Sequence, residues 1–470
     1  MSELLYLNTS VDHPGIRTGT VRFRADLDRL AARAIPSFRS RRDFGRGCRK
    51  ALGRSAQGIF KAADRTGLIE RLKAFNDDRV PELLPVKYGR MASSPFTFFR
   101  GSVGLMAEDL AAQPVTGLSV LMCGDAHVQN LGAFAAPDGH LVFDLNDFDE
   151  SYPGPWEWDV KRMTASVVLA GREAGNSEVA CTAAVHALVR AYRNTLDQLA
   201  RLNMRDLVRY DAYRNTLQMG PVANVLRKAA RSSLRRLMKK ITEPGGTFPQ
   251  LAERPPLLAH LTPEAAQAVL DSLPAYRAVL GADRQAVLDA YTPWDVAFKV
   301  VGTGSVGTHC YVLLLYGHGP DDPLFLQIKE SRPSPYVPHV PGVPPVVHEG
   351  ERVAHAQHRL QTVTDPFLGW TKVGDVPCIV RQLNDHKAGI DTAELRGRAL
   401  SEYATVSGEI LAKGHARTGD AAALSGYCGR SDALDVAMAA YARACADQSE
   451  VDHKTLVQAI KRGAVEAVRA

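Results

Sequence analysis

Apolar and polar positions alternate along this chain with two different periods, and the periods separate it into helical and β-leaning stretches. "LSVLMCGDAH" reads as a buried strand running into a polar loop, and "GHLVFDLND", after the turn at Pro137 to Gly139, reads as a second short strand, so two strands bracket a cluster of polar side chains. From Asp159 the pattern turns helical: Val160, Met163, Thr164, Val167, Val168 and Ala170 recur at spacings of three and four, and helices are predicted as far as about residue 242. Residues 243–256, "EPGGTFPQLAERPP", form a predicted loop, and a short helical region leads to Trp294. "FKVVGTGSVGTHCYVLLLYGHGPDDPLFLQIKE" then reads as three β segments separated by glycine turns, an antiparallel meander. "SRPSPYVPHVPGVPP" is too rich in proline for helix; helix resumes near Val347, "DVPCIVRQL" is one more strand, and Ala393 to Ala470 is helical almost throughout.

Four stretches follow from these textures: an arginine-rich, helix-leaning region over 1–80; a segment over 81–293 holding the polar cluster and a helical lobe; a small β lobe over 294–385; and C-terminal helices over 386–470. Composition changes this picture little: 45% hydrophobic and 23% charged residues are ordinary for a soluble globular chain. The longest apolar runs, such as Tyr311 to Tyr316, fall far short of the roughly 20 residues of a membrane span, and Met1 to Ser10 carry no secretion signal, so a cytoplasmic protein without a membrane span is expected. Seven scattered cysteines without a CxxC pair argue for reduced thiols rather than a disulfide framework or structural zinc. The net charge of +6 is unevenly spread. In "LRKAARSSLRRLMKKI" (226–241) Leu226, Ala230, Leu234, Leu237 and Ile241 keep helical spacing while Arg227, Lys228, Arg231, Arg235, Arg236, Lys239 and Lys240 have no acidic neighbour, which predicts one amphipathic basic helix, its charged side a solvated face or, as the alternative, a surface for an anionic partner.

The polar cluster is where chemistry enters. Asp125 and Asn130 are five positions apart, the D-x-x-x-x-N spacing of a phosphoryl-transfer loop, and Asp144 closes the next apolar segment. Transfer to a hydroxyl needs a carboxylate that orients the acceptor, a carboxamide oxygen for magnesium, and a second carboxylate from a neighbouring strand; a strand–loop–strand hairpin would bring the three together. This order resembles the catalytic segment of aminoglycoside and choline phosphotransferases and of protein kinases. The resemblance implies Asp125 as catalytic base with His127 beside it, Asn130 and Asp144 as magnesium ligands, and Asp159 as a helix-opening cap for the loop. Because "DLND" replaces the usual glycine-bearing continuation, Asp147 competes with Asp144 for the metal. Asp125-x-His127 also suits a metal-dependent phosphoesterase, and a structural polar network is the plainest alternative.

The string "GTGSVG" contributes Gly302, Gly304, Ser305 and Gly307, followed by β segments ending in "FLQIKE" rather than by the helix a dinucleotide fold would need. A glycine flap with Lys329 on the third strand is the small-lobe plan of a kinase, in which backbone amides close over the phosphates of ATP and the lysine neutralises them. Glu349, with Glu351 as the fallback, is the expected partner of Lys329, and Arg381, Gln382 and Leu383 in "VRQLND" are expected at the junction that meets the adenine. In an ordinary kinase the glycine loop precedes the catalytic loop; here it follows, and a circular permutation reconciles the order. Across nearly its whole length the chain resembles bacterial domain-of-unknown-function family 2252, in "KYGRMASSPFTFFRG", "CGDAHVQNLG", "FDLNDFDE", "WDVKRMTAS", "DPFLGW", "VRQLND" and "LAKGHARTGD". Together these readings give an α+β, bilobal, circularly permuted kinase-like fold with a small antiparallel β lobe and a large helical lobe. The expected activity is an ATP- and magnesium-dependent phosphotransferase acting on a hydroxyl of a small molecule or protein. A nucleotide-binding scaffold without turnover and a nucleotidyl transferase stand as alternatives. His415, Arg417 and Asp420 divide between a phosphate site and a structural corner, and Lys87, Arg90 and Arg100 are candidates for positive charge near the cleft.

Overall fold

In the computed structural model, residues 36–210, 220–232, 234–255, 257–300, 306–383 and 387–468 are described. Gly302, Gly304 and Ser305, and most of the basic N-terminal region, lie outside them. The fold is mixed α+β and its sheets are antiparallel. The largest has six strands in the order β11-β12-β10-β9-β8-β7, where β7 is Leu258–His260, β8 Thr292–Lys299, β9 Cys310–Tyr316, β10 Pro323–Glu330, β11 Gly369–Val373 and β12 Val376–Gln382. Its central strand is apolar at nearly every position because both faces are covered. Leu313 and Leu315 pack with Tyr276 and Val269 of the helices Leu273–Val279 and Pro263–Asp271, while Val312, Leu314 and Tyr316 pack with Ile241 and Leu251. The two-residue period of β10 sends Leu324, Leu326 and Ile328 into the first of these cores and leaves Gln327 and Lys329 on the other face. The strand predicted after Trp294 starts earlier, at Thr292, so Trp294 lies within β8.

The polar cluster is built by two hairpins rather than one. β1 (Ser119–Met122) pairs with β4 (Tyr152–Pro155), and β2 (Leu131–Ala135) pairs with β3 (Leu141–Leu145). The expected pairing of the first and second predicted strands does not form; β2, "LGAFA", was hidden by its small residues and intervenes. Below these hairpins the helix Trp156–Glu173 is buried almost all round, packed among Glu178–Leu199, Arg398–Thr418 and Ala433–Lys461. Trp156 stacks on Tyr192 at 5.7 Å and meets the edge of Tyr427 at 5.6 Å, so segments from both ends of the chain close a single core.

The predicted basic helix is two helices, Gly220–Arg231 and Leu234–Ile241, the first ending before Ser232, a residue type whose side chain competes with helical backbone hydrogen bonds. Their apolar faces are covered, with Val222, Val225 and Leu226 buried, and Lys228 pairs with Glu394 at 2.5 Å. All seven cysteines are free thiols, and among the described residues no helix is long and apolar enough to cross a membrane.

Glycine permits a close helix crossing: a Cβ on Gly408 would stand 2.2 Å from the Leu188 carbonyl oxygen. Gly408→Ala should therefore cost about 1–3 kcal/mol of unfolding free energy in urea titrations, from overpacking. Gly47→Ala, whose Cβ would meet nothing within 4 Å, should be neutral or mildly stabilising.

Candidate functional site

The loop between β1 and β2 is held at its backbone by buried side chains. Asp159, in the first turn of the Trp156–Glu173 helix, accepts hydrogen bonds from Cys123 N (2.7 Å) and Gly124 N (2.9 Å). His415 Nε2 approaches the same carboxylate at 3.2 Å, and the Tyr192 hydroxyl meets His415 Nδ1 at 2.7 Å, which places the imidazole proton on Nε2. Tyr336 donates to Gly124 O (2.6 Å), Tyr403 to Val128 O (2.7 Å), and Ser166 Oγ accepts from Val128 N (3.2 Å). Gly124 has φ +84, and a Cβ there would lie 2.2 Å from Glu150 O, so this turn requires glycine. The "GHARTGD" segment belongs to this scaffold. His415 braces Asp159, Arg417 donates to Arg359 O and Val208 O, and Asp420 caps the helix Ala421–Cys428.

On that frame stand Asp125, His127 and Asn130. Arg162, with a fully buried side chain, donates from Nε to Asp125 at 2.6 Å, and its guanidinium lies 4.3 Å from the Phe99 ring centre. Burial alone would raise the Asp125 carboxyl; Arg162 and then His127 outweigh it and hold the group well below the usual carboxylate range. His127 Nδ1 accepts from Gln129 N (3.1 Å), leaving Nε2–H directed at Asp125 at 3.5 Å. Burial, only partly opposed by Asp125, lowers the pKa of His127 and favours its neutral form. Asn130 Nδ2 donates to Asp125 O (2.9 Å) and Asp147 O (3.1 Å), which fixes the amide orientation, and its buried Oδ1 has no hydrogen-bond partner. Arg100 reaches the same loop through Gln129 Oε1 at 2.6 Å.

Asp144 and Asp147 divide sharply. Asp144 sits opposite Gly132 in the β2–β3 ladder, and its buried carboxylate pairs with Lys413 and accepts from Thr362 N at 3.3 Å. Asp144, expected as a metal ligand, thus pairs with Lys413 in this structure. Asp147 lies beyond the strand and is partly exposed. Packing would raise its carboxyl, but Lys329, Arg381 and Lys387 lower it on balance.

Lys329, only 3% exposed, reaches from β10 to pair with Asp149 and stands 3.8 Å from Asp147. Burial disfavours its ammonium, yet Asp147 and Asp149 hold its pKa above the ordinary lysine value. The expected partner Glu349 is instead bound to Arg352, three residues along the same helix. Arg352 uses its remaining donors on Asp149 O and Arg332 O (both 2.8 Å) and on Ser151 O, clamping the segment that carries Asp149.

Arg381 donates to Gln327 Oε1 (2.9 Å) and Asn146 O (3.3 Å), and Leu383 N extends the sheet to Phe325 O (2.8 Å). Arg381, Gln382 and Lys387 line a small hollow with Asn146 and Asp365. Desolvation and then the charge of Arg381 lower the pKa of Lys387, and Asp147 opposes them. Gly307 adopts φ +87 and accepts from Val80 N (2.8 Å), while Arg79 donates to Val306 O (2.7 Å), tying the end of the glycine turn to the segment before residue 81.

A family model described as "Uncharacterized protein conserved in bacteria (DUF2252)" matches residues 79–459. The chain belongs to the DUF2252 family. No curated protein and no solved structure matches it. Within the matched span of this DUF2252 protein lie all the residues of the site, including those sequence reasoning missed: Asp149 as the closest partner of Lys329, Arg162 on Asp125, Arg352 on the Asp149 backbone, Lys413 on Asp144, and Lys387. Arg162 alone carried a signal, as a charge at a buried position of an otherwise apolar helix.

The Asp144–Lys413 pair is testable as structure. Lys413→Met leaves a buried carboxylate uncompensated and should cost roughly 3–5 kcal/mol, whereas combining it with Asp144→Leu should restore most of that loss in chemical denaturation.

Proposed function

We propose that this DUF2252 protein binds Mg-ATP between the six-stranded sheet and the two loops that bear Asp125 with Asn130 and Asp147, and transfers the γ-phosphoryl group to a hydroxyl. The observation that carries this reading is the meeting of Lys329 with Asp147 and Asp149 beside the unpartnered Oδ1 of Asn130. The order of elements agrees with it. A glycine turn separates β8 and β9, the lysine is on the next strand, a helix (Glu349–Leu360) follows, and two further strands complete the sheet, as in the small lobe of a kinase. The Asp125 loop comes earlier in the chain and is backed by helices from both ends of the described chain, which supports reading the fold as kinase-like in permuted order.

Magnesium fits the residues present. Among the described residues no three His, Cys, Asp or Glu side chains cluster as a self-sufficient metal site, but magnesium takes one or two protein oxygens and fills its shell with phosphate and water. Asn130 Oδ1 and the Asp147 carboxylate would hold it. When bound, magnesium neutralises charge on the phosphates. Lys329, beside Asp147, and Arg381, on the Asn146 backbone, supply the remaining positive charge from the protein.

Asp125 remains anionic under the Arg162 clamp and is a weak base, so its task is to orient the acceptor hydroxyl. A loose phosphoryl transition state asks little more. The acceptor oxygen bonds to the γ-phosphorus as the bond to the bridging oxygen breaks, the electron pair leaves with ADP, and the hydroxyl proton passes by way of Asp125 to water. The same clamp favours a second reading, a nucleotide-binding protein without turnover.

Calorimetric titration tests the first step. Mg-ATP should bind the wild type, and Lys329→Met and Asp147→Asn should each weaken binding at least about tenfold, or about 1.4 kcal/mol. Asp125→Asn should leave the affinity within about twofold, because it acts on the acceptor. No heat of binding, or a Lys329→Met affinity equal to wild type, would refute the proposal.

A further inference from the structure

The basic residues of the helix Gly220–Arg231 take no part in the site above, and they line one wall of an open groove of about 420 Å³. Val222, Val225, Leu226 and Ala229 are buried in the main core, which turns Arg227, Lys228 and Arg231 outward. The facing wall is the turn carrying Glu394 and Arg396, and 166 positions separate Lys228 from Glu394. Leu395 is buried, and Asn176 grips the backbone on either side of Arg396, donating to Leu395 O and accepting from Gly397 N, both at 2.7 Å. Both walls are therefore anchored in the fold. None of Asp125, Asn130, Asp147 or Lys329 lines the groove.

Its charge is not balanced from within. Lys228 pairs with Glu394, the one carboxylate among the described lining residues, and Arg227 donates to the Asn224 carboxamide. Arg227, Arg231 and Arg396 have no carboxylate partner among the described residues. Arg227 and Arg231 stand one helical turn apart, a spacing at which like charges repel. Three unpaired guanidiniums around one space of small-molecule volume suit an anion that accepts from several sides. A carboxylate is satisfied by a single guanidinium fork, whereas linked phosphates present oxygens in several directions to several forks. A bilayer surface fits less well. The apolar sides of this helix and of Leu234–Ile241 are packed on the protein's own cores, so neither has a face left to lie in lipid.

We propose that this groove is a second binding site, for linked phosphate groups, free or carried on a small ester, held by Arg227 and Arg231 on one wall and Arg396 on the other. The protein supplies the cations, so binding here needs no metal. The site is distinct from the nucleotide crevice and does not rest on the phosphotransferase reading.

The test is calorimetric titration of the full chain with inorganic tripolyphosphate at low salt and in the presence of EDTA, which removes the magnesium on which the nucleotide crevice depends. Saturable binding to a single site is expected. Arg231→Gln and Arg396→Gln, on opposite walls, should each weaken it at least about tenfold, because each removes charge-assisted hydrogen bonds to the ligand. Lys239→Gln, an exposed cation of the next helix outside the groove, should leave the affinity within about twofold. All three side chains are exposed, so thermal unfolding without ligand should match wild type. Citrate should bind at least about tenfold more weakly than tripolyphosphate. No binding of tripolyphosphate, wild-type affinity in either arginine variant, an equal loss in Lys239→Gln, or citrate binding as tightly would each overturn the assignment. So would a short DNA duplex or phosphatidylserine vesicles that bind more tightly than tripolyphosphate and lose that binding in Arg396→Gln, since the groove would then serve a macromolecule or a membrane.

Discussion

A lysine ammonium buried at the inner face of a β-sheet is the constraint from which the rest of the site follows. Removing such a charge from water costs several kcal/mol, and only close anionic partners offset it. Lys329 finds them in Asp149 and Asp147, the former 180 positions earlier in the chain, so the sheet reaches its native state only when docked on the segment after β3. Arg352 reinforces the docking from the adjacent helix by binding the backbone on either side of the pair. The ion pair and the clamp define one wall of the site and leave the Asn130 carboxamide oxygen without a partner at its edge.

The opposite wall is fixed by a different economy of buried polar groups. Asp159 satisfies two loop amides and is itself braced by His415 and Tyr192; hydroxyls of Tyr336, Tyr403 and Ser166 satisfy much of what remains of the loop backbone. A loop whose amides and carbonyls are so occupied has little freedom, and its hydrogen bonds fix where Asp125 and Asn130 stand. His415 belongs to a helix that enters the core from the far end of the chain, so the loop depends on the C-terminal helices even though it precedes them by hundreds of residues.

Much of this was legible because some physical demands leave short-range marks. The Asp125–Asn130 spacing, the apolar strand bearing Lys329, and Asp159 opening a helix are local patterns; in the structure Asn130 bonds the Asp125 and Asp147 backbone, Lys329 stands by the Asp147 carboxylate, and Asp159 holds the loop from beneath. Partners across the fold leave no such mark. Asp144 looked equivalent to Asp147 until the β2–β3 ladder set its side chain against Lys413, 269 positions away. Glu349 had the right helical face for Lys329, but Arg352 lies on the same face one turn on and captures it first. The basic helix was read across Ser232 because hydrophobic spacing persists through a break at a residue type that competes for backbone hydrogen bonds.

The central claim is that Lys329, Asn130 and Asp147 form one nucleotide–metal site. A crystal structure with a non-hydrolysable ATP analogue and manganese in place of magnesium tests it most directly, because manganese is located by its anomalous scattering. The account predicts a single strong anomalous peak in the coordination shell of Asn130 Oδ1 and the Asp147 carboxylate, with the triphosphate against Lys329 and Asp144 still bound to Lys413. A peak at Asp144, or a nucleotide seated anywhere other than between the sheet and the Asp125 loop, would contradict it.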